Sequence, residues 1–154
     1  MEVKVREARE DEMEEVIRIF EESFTGSYRY WAIRDLPYTY VLVAEIGGEV
    51  VGAAELYCKR TREYGRVGVI YFLAVRRSYR GRGIGSLLVK EAEKLFRSWG
   101  CRYSAASTQS SNRASLTLFK KLGYRVYRKN TREFGILVSA LYAYEDDVIF
   151  LKEL

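Results

Sequence analysis

The segment that most constrains this chain is residues 70–86, IYFLAVRRSYRGRGIGS. Residues 70–75 form an apolar run with the length of a buried strand. The run leads into a loop with Gly81, Gly83 and Gly85, which opens into a strong helical pattern over residues 83–99. There Ile84, Leu87, Leu88, Ala92, Leu95, Phe96 and Trp99 share one face, and Gly100 marks the stop. Alternating glycines let a backbone approach a ligand closely and adopt conformations closed to other residues. Free N–H groups at a helix N-terminus, with the helix dipole, seat an anion. Arg76, Arg77, Arg80 and Arg82 add positive charge at the same place. A ligand with several phosphates is the natural occupant; a solvated basic turn is the plainer alternative.

The remaining pattern surrounds this segment with a mixed sheet. Residues 2–8 alternate apolar and charged side chains, as a strand does. Asp11 is placed to cap a helix carrying Met13, Val16, Ile17, Phe20 and Phe24. Residues 26–37 read as irregular and aromatic-rich. Residues 40–46 and 49–58 flank Gly47-Gly48, a hairpin signal. Strands follow at 66–75 and 101–106, and Asn112 can cap a helix running to about Leu122. Residues 124–128 start a strand, 131–145 are ambiguous, and 147–154 close with a strand. With 154 residues and no linker or repeat, one α/β domain (a mixed, α+β type sheet) spanning 1–154 is expected.

Composition removes whole classes of chemistry. The chain has no histidine, which excludes Ser-His-Asp and Cys-His hydrolysis, His-ligated zinc and a histidine base. Cys58 and Cys101 lack metal-ligand spacing and sit in apolar segments, so inert buried thiols and no metal site are expected. The N-terminal MEVKVREARE has no apolar core of a signal peptide, and no apolar run approaches about 20 residues. A cytoplasmic protein with no membrane partner is the expectation.

Among phosphate-binding loops, GxxxxGK[ST] is absent, and Gly81-Arg-Gly83-Ile-Gly85-Ser86 has the wrong spacing for GxGxxG. What the loop matches is Arg80-x-x-Gly83-x-Gly85 after a strand ending Leu73-Ala74-Val75. This resembles the acetyl-CoA-binding motif of the GNAT N-acetyltransferase superfamily. Residues 112–124, from Asn112 and Ala114 through Phe119 to Leu122-Gly123-Tyr124, resemble the superfamily's later signature helix. The resemblance implies the GNAT acyl-CoA N-acyltransferase fold: a central, mostly antiparallel sheet with a splayed pair of parallel strands, flanked by helices. It implies acetyl-CoA as cosubstrate and a primary amine as acceptor, attacked directly without a covalent enzyme intermediate. Leu73, Ala74 and Val75 would pair with the pantetheine arm. Arg80, Gly81, Arg82, Gly83, Ile84, Gly85 and Ser86 would hold the pyrophosphate, and Asn112 would contact the pantetheine side or serve as a plain N-cap. Arg76 and Arg77 would add a steering field.

The chain departs from its relatives where they transfer protons. A tyrosine acid seven residues after the Asn is replaced by Phe119, a glutamate base five residues before it by Ser107, and a glutamate on the cofactor strand by Tyr71. Tyr71 is the first replacement candidate, reaching the active cleft if it shares a face with Leu73 and Val75, and a packed sheet tyrosine is its bland alternative. Glu55 is the second: a carboxylate flanked by Ala53, Ala54 and Leu56 can have a raised pKa suited to a base, or can sit on a solvated face. For the acceptor, Tyr28, Tyr30 and Trp31 could clasp an amine or peptide end, or cover the core edge. Glu145, Asp146 and Asp147 could attract a cation or form a solvated turn.

Two other classes compete. One keeps the fold and acyl-CoA binding but drops catalysis, giving a sensor. The other is a basic nucleic-acid-binding module, against which stand a net charge of only +5 and arginines gathered at one helix start. Acceptor identity (small molecule, peptide or protein) and oligomeric state, a homodimer included, stay open.

Overall fold

Strand patterning and helix stripes assemble into a seven-stranded mixed sheet flanked by helices in the computed structural model, which describes residues 2–154. The strands are β1 (Val3–Glu7), β2 (Tyr40–Ile46), β3 (Glu49–Thr61), β4 (Gly65–Val75), β5 (Tyr103–Thr108), β6 (Arg125–Arg128) and β7 (Val148–Glu153). The helices are α1 (Met13–Ser23), α2 (Gly26–Arg34), α3 (Ile84–Ser98), α4 (Arg113–Lys121) and α5 (Arg132–Leu137). Strand order is β1-β2-β3-β4-β5-β7-β6. The β4–β5 pair is parallel, whereas β1–β2, β2–β3, β5–β7 and β6–β7 are antiparallel. No helix among the described residues is long and apolar enough to cross a membrane.

The chain divides into two compact units, one of Met1–Tyr57 and Tyr71–Ala92, the other of Cys58–Ile70 and Glu93–Leu154. In the first, α1 buries Val16, Ile19 and Phe20 at helical spacing against Val41, Val43, Ala53 and Ala74. Asp11 does not cap this helix. The side chain of Glu12 accepts the Arg9 N–H at 2.8 Å, closing a short 3-10 turn ahead of α1, and Arg6 clamps the same carboxylate at 2.7 Å. Hydrogen bonds from Arg6 hold the Glu12 carboxyl down at about 2. Residues 26–37 are not irregular: they form α2 and a 3-10 turn, Leu36–Tyr38, with Ala32 and Leu36 buried.

In the second unit the Phe96 ring lies against Gly68, so that a Cβ there would clash with the ring. Phe119 is buried, stacked on Phe150 at 4.6 Å and edge-on to Tyr124 at 5.0 Å. The ambiguous 131–145 segment contains α5, capped by Thr131, whose hydroxyl accepts the Phe134 N–H at 3.3 Å. Cys58 and Cys101 bring their Sγ atoms to 3.1 Å as thiols. Burial pushes Cys101 up to about 12, and its neighbour Cys58 adds to the shift, so this thiol is no nucleophile at neutral pH.

Candidate active site

The site grows from the C-terminal half of β4. Its ladder with β5 runs from Val67↔Tyr103 to Ile70↔Ala106 and stops there, while the strand itself continues to Val75. Leu73, Ala74 and Val75 therefore carry backbone groups with no β5 register. The pleat also breaks at this point. Successive strand side chains normally point to opposite faces. Yet the Tyr71 hydroxyl donates to Asp35 Oδ2 at 2.8 Å, while the Phe72 ring packs on Phe24 at 5.5 Å and Tyr28 at 6.4 Å. Both neighbours thus turn toward α1 and α2, and Ala74 joins the core beneath those helices. Tyr71 does not share a face with Leu73 and Val75 as alternation predicts, because the break comes immediately after it.

Beyond β4 the chain enters the arginine–glycine loop. Gly81 and Gly83 adopt φ of 78° and 80°, a left-handed conformation that glycine adopts without strain. The Leu87 N–H donates to the Gly83 carbonyl at 3.1 Å, which makes Gly83 the N-cap and leaves Ile84, Gly85 and Ser86 as the first turn of α3. N–H groups of a first turn have no partner within the helix. The arginines divide their roles. Arg80 braces the loop, donating from Nε to the Val75 carbonyl at 2.9 Å and from its terminal nitrogen to Ser23 Oγ at 3.1 Å. Arg76 donates from Nε to the Val50 carbonyl at 2.8 Å, so it is a brace and more than a source of field. Arg82 lies over the Tyr79 ring at 5.0 Å.

Two carboxyl groups, Asp35 and Glu55, lie close enough for the charge of one to act on the other. Glu55, opposite Val41 in the β2–β3 ladder, is 0% exposed. Its Oε1 accepts the Thr39 hydroxyl at 2.9 Å, and its Oε2 has no hydrogen-bond partner. Burial pushes this carboxyl up to about 8, with the charge of Asp35 adding to the shift and the Thr39 hydrogen bond opposing it. Glu55 is not on a solvated face. Asp35, the C-cap of α2, has a side chain only 18% exposed. Its Oδ2 takes the Tyr71 hydroxyl, and its Oδ1 accepts from Arg34 at 3.2 Å. Sequence reasoning passed over Asp35; a lone acid between a helix and Leu36-Pro37 was its only local signal.

The other candidates sit as follows. Tyr28 packs on Phe24 and Phe72 at the edge of the core. Tyr30 (58% exposed) and Trp31 (40% exposed) form an edge-to-face pair at 5.1 Å, with Arg34 over Trp31 at 5.2 Å. Asn112 caps α4, its side-chain oxygen accepting the Ser115 N–H at 3.1 Å. Ser107 donates to Asp146 at 2.6 Å, and Asp147 accepts from the N–H and hydroxyl of Ser110 at 2.6 and 2.7 Å. These hydrogen bonds hold Asp147 below the usual carboxylate range. Asp146 and Asp147 are thus tied to strand and loop partners and do not form a free acidic turn.

Residues 5–124 match the Acetyltransferase (GNAT) family, and the chain belongs to that family. It is 30% identical over 132 residues to an acetyltransferase of Sodalis glossinidius (strain morsitans), covering 80% of this chain and 88% of that protein. A GNAT-family acetyltransferase from Staphylococcus aureus Mu50 shares the fold with a TM-score of 0.80 at 14% identity, over 99% of both chains. The PaiA N-acetyltransferase of Thermoplasma acidophilum, solved in complex with coenzyme A, has a TM-score of 0.74 at 17% identity, over the whole of both chains.

Proposed function

We propose that this GNAT-family protein is an N-acetyltransferase that moves an acetyl group from acetyl-CoA to a primary amine by direct attack in a ternary complex. The observation that carries the reading is one continuous segment. The unladdered β4 edge at Leu73, Ala74 and Val75 runs through the left-handed glycines Gly81 and Gly83 into the first turn of α3. An extended thioester arm pairs with a strand edge, and a pyrophosphate seats on first-turn N–H groups. Arg80, Arg82, Ile84, Gly85 and Ser86 complete that cradle. Coenzyme A in the Thermoplasma neighbour supports the same ligand here.

In the reaction, the amine lone pair attacks the thioester carbonyl, the carbon–sulfur bond breaks, and the amine's surplus proton passes to a base. Holding both substrates in line supplies much of the acceleration, and a β4 N–H polarises the carbonyl. Glu55 is the base, reached through water, because it is the buried carboxyl whose affinity for a proton is raised toward working pH. Tyr28, Tyr30 and Trp31 line the acceptor's approach. The protein works in the cytoplasm as one domain.

A second reading, an acyl-CoA-binding sensor without catalysis, draws support from the buried Phe119 at the usual acid position. Acetyl-CoA should raise Tm under both readings, since a ligand that binds only the folded state stabilises it. Release of free CoA across a panel of peptide and small-molecule amines separates them. Binding without release on any amine would leave the sensor, and no Tm rise at millimolar acetyl-CoA would remove both.

A further inference from the structure

When Glu55 gives up its proton, it and Asp35 carry two negative charges against the one positive charge of Arg34. Thr39 donates to Glu55, and Tyr71 donates to Asp35. Both donors are neutral hydroxyls. Tyr57 stands edge-on to Tyr71 at 5.5 Å, and Phe72 lies 4.4 Å from Tyr71. Arg34 pairs with Asp35 at 3.2 Å, and its side chain is 52% exposed and also lies over Trp31. Glu55 Oε2 is buried with no hydrogen-bond partner. In that deprotonated state a cation bound at Asp35 would balance the pair, and the aromatic rings beside it suit an ammonium with an apolar arm.

The chemistry limits which ammonium this is. A carboxylate touching an ammonium holds the proton on it, whereas the attacking nitrogen must be neutral. The seat therefore suits a cation that does not react. We propose that Asp35 binds a second, non-reacting ammonium of the acceptor, so that the acceptor is a diamine or another amine with a fixed cation a short chain away. The proposal rests on the N-acetyl-transfer reading with Glu55 as base. A cation at Asp35 also offsets that residue's charge at Glu55 and favours the carboxylate, so the base is readied by the acceptor it serves. Among the described residues, Arg34 and the Tyr71 hydroxyl face Asp35, the Thr39 hydroxyl faces Glu55 and Tyr57 stands against Tyr71, and of these Arg34 competes for the same seat.

The test compares diaminobutane with butylamine as acceptors, using acetyl-CoA and the full chain. One charge-assisted contact predicts a preference for the diamine of about tenfold or more in kcat/KM. Asp35→Asn, which can still accept from Tyr71, should bring the ratio near one, and Arg34→Gln should raise it. The rise of kcat/KM with pH should begin at lower pH for the diamine than for the monoamine. Equal turnover of both amines by the native chain, or a preference that survives Asp35→Asn, overturns the seat and leaves N-acetyl transfer standing. If neither amine is turned over, Tm decides. A rise with diaminobutane that Asp35→Asn abolishes keeps the seat and overturns the transfer reading, and no rise in the native chain overturns the seat.

Discussion

Replacing Glu55 with glutamine should change how stability depends on pH, independently of catalysis. An ordinary glutamate titrates near 4.5, and burial pushes Glu55 up to about 8. Between these values the folded chain keeps a proton that the unfolded chain has lost. Native stability must therefore fall as pH rises, by about 1.4 kcal/mol per pH unit from this residue. Across the window the loss is about 5 kcal/mol, complete once pH passes the folded pKa. Glutamine keeps the shape and can accept the Thr39 hydroxyl, but it does not titrate. Its buried amide adds an offset that is constant with pH. Urea unfolding of native and Glu55→Gln chains from about pH 5 to about pH 9 isolates the pH-dependent part. The variant should gain on the native chain through the window and level off above it. Parallel stability curves would refute the argument, because a carboxyl with that burial cannot titrate without the linkage.

Two further outcomes follow from the geometry. Gly68→Ala drives a methyl into the Phe96 ring and should destabilise the fold by about 1–3 kcal/mol, read as a lower urea midpoint at unchanged slope. Gly83→Ala forces a side chain into a left-handed N-cap; a strain of about 1–2 kcal/mol should weaken acetyl-CoA binding in calorimetry, with wild-type affinity counting against the cradle.

The parts legible in the sequence were those whose signal is local. The apolar run into Gly81, Gly83 and Gly85 announced β4, the loop and α3 within one window, and Glu55 stood out as a lone acid among apolar residues. Helix α2 was not legible because nine aromatic-rich residues beginning with glycine bury only Ala32 and show no apolar stripe. Asp35 gained its meaning from Tyr71, 36 residues away, a contact no local pattern reports. The condition set for Tyr71, a face shared with Leu73 and Val75, presumes an unbroken pleat, which local sequence does not report. Phe119 and Ser107 told what is missing from the usual proton machinery, but not that one packs on Phe150 and the other binds Asp146.

The break between Tyr71 and Phe72 gives β4 two reading frames. Up to Ile70 the strand's inside and outside are fixed by its ladder with β5; after the break they are fixed by what packs under α1 and α2. Removing one residue there would restore a single frame and, because Tyr71 and Phe72 share a face, would leave Leu73, Ala74 and Val75 on the faces they already hold. A one-residue deletion in the regular stretch before Ile70, which does exchange faces, should therefore be far more damaging than a deletion at the break. The two halves of one strand can accordingly vary under separate constraints, the first answering to the sheet and the second to whatever the glycine loop holds.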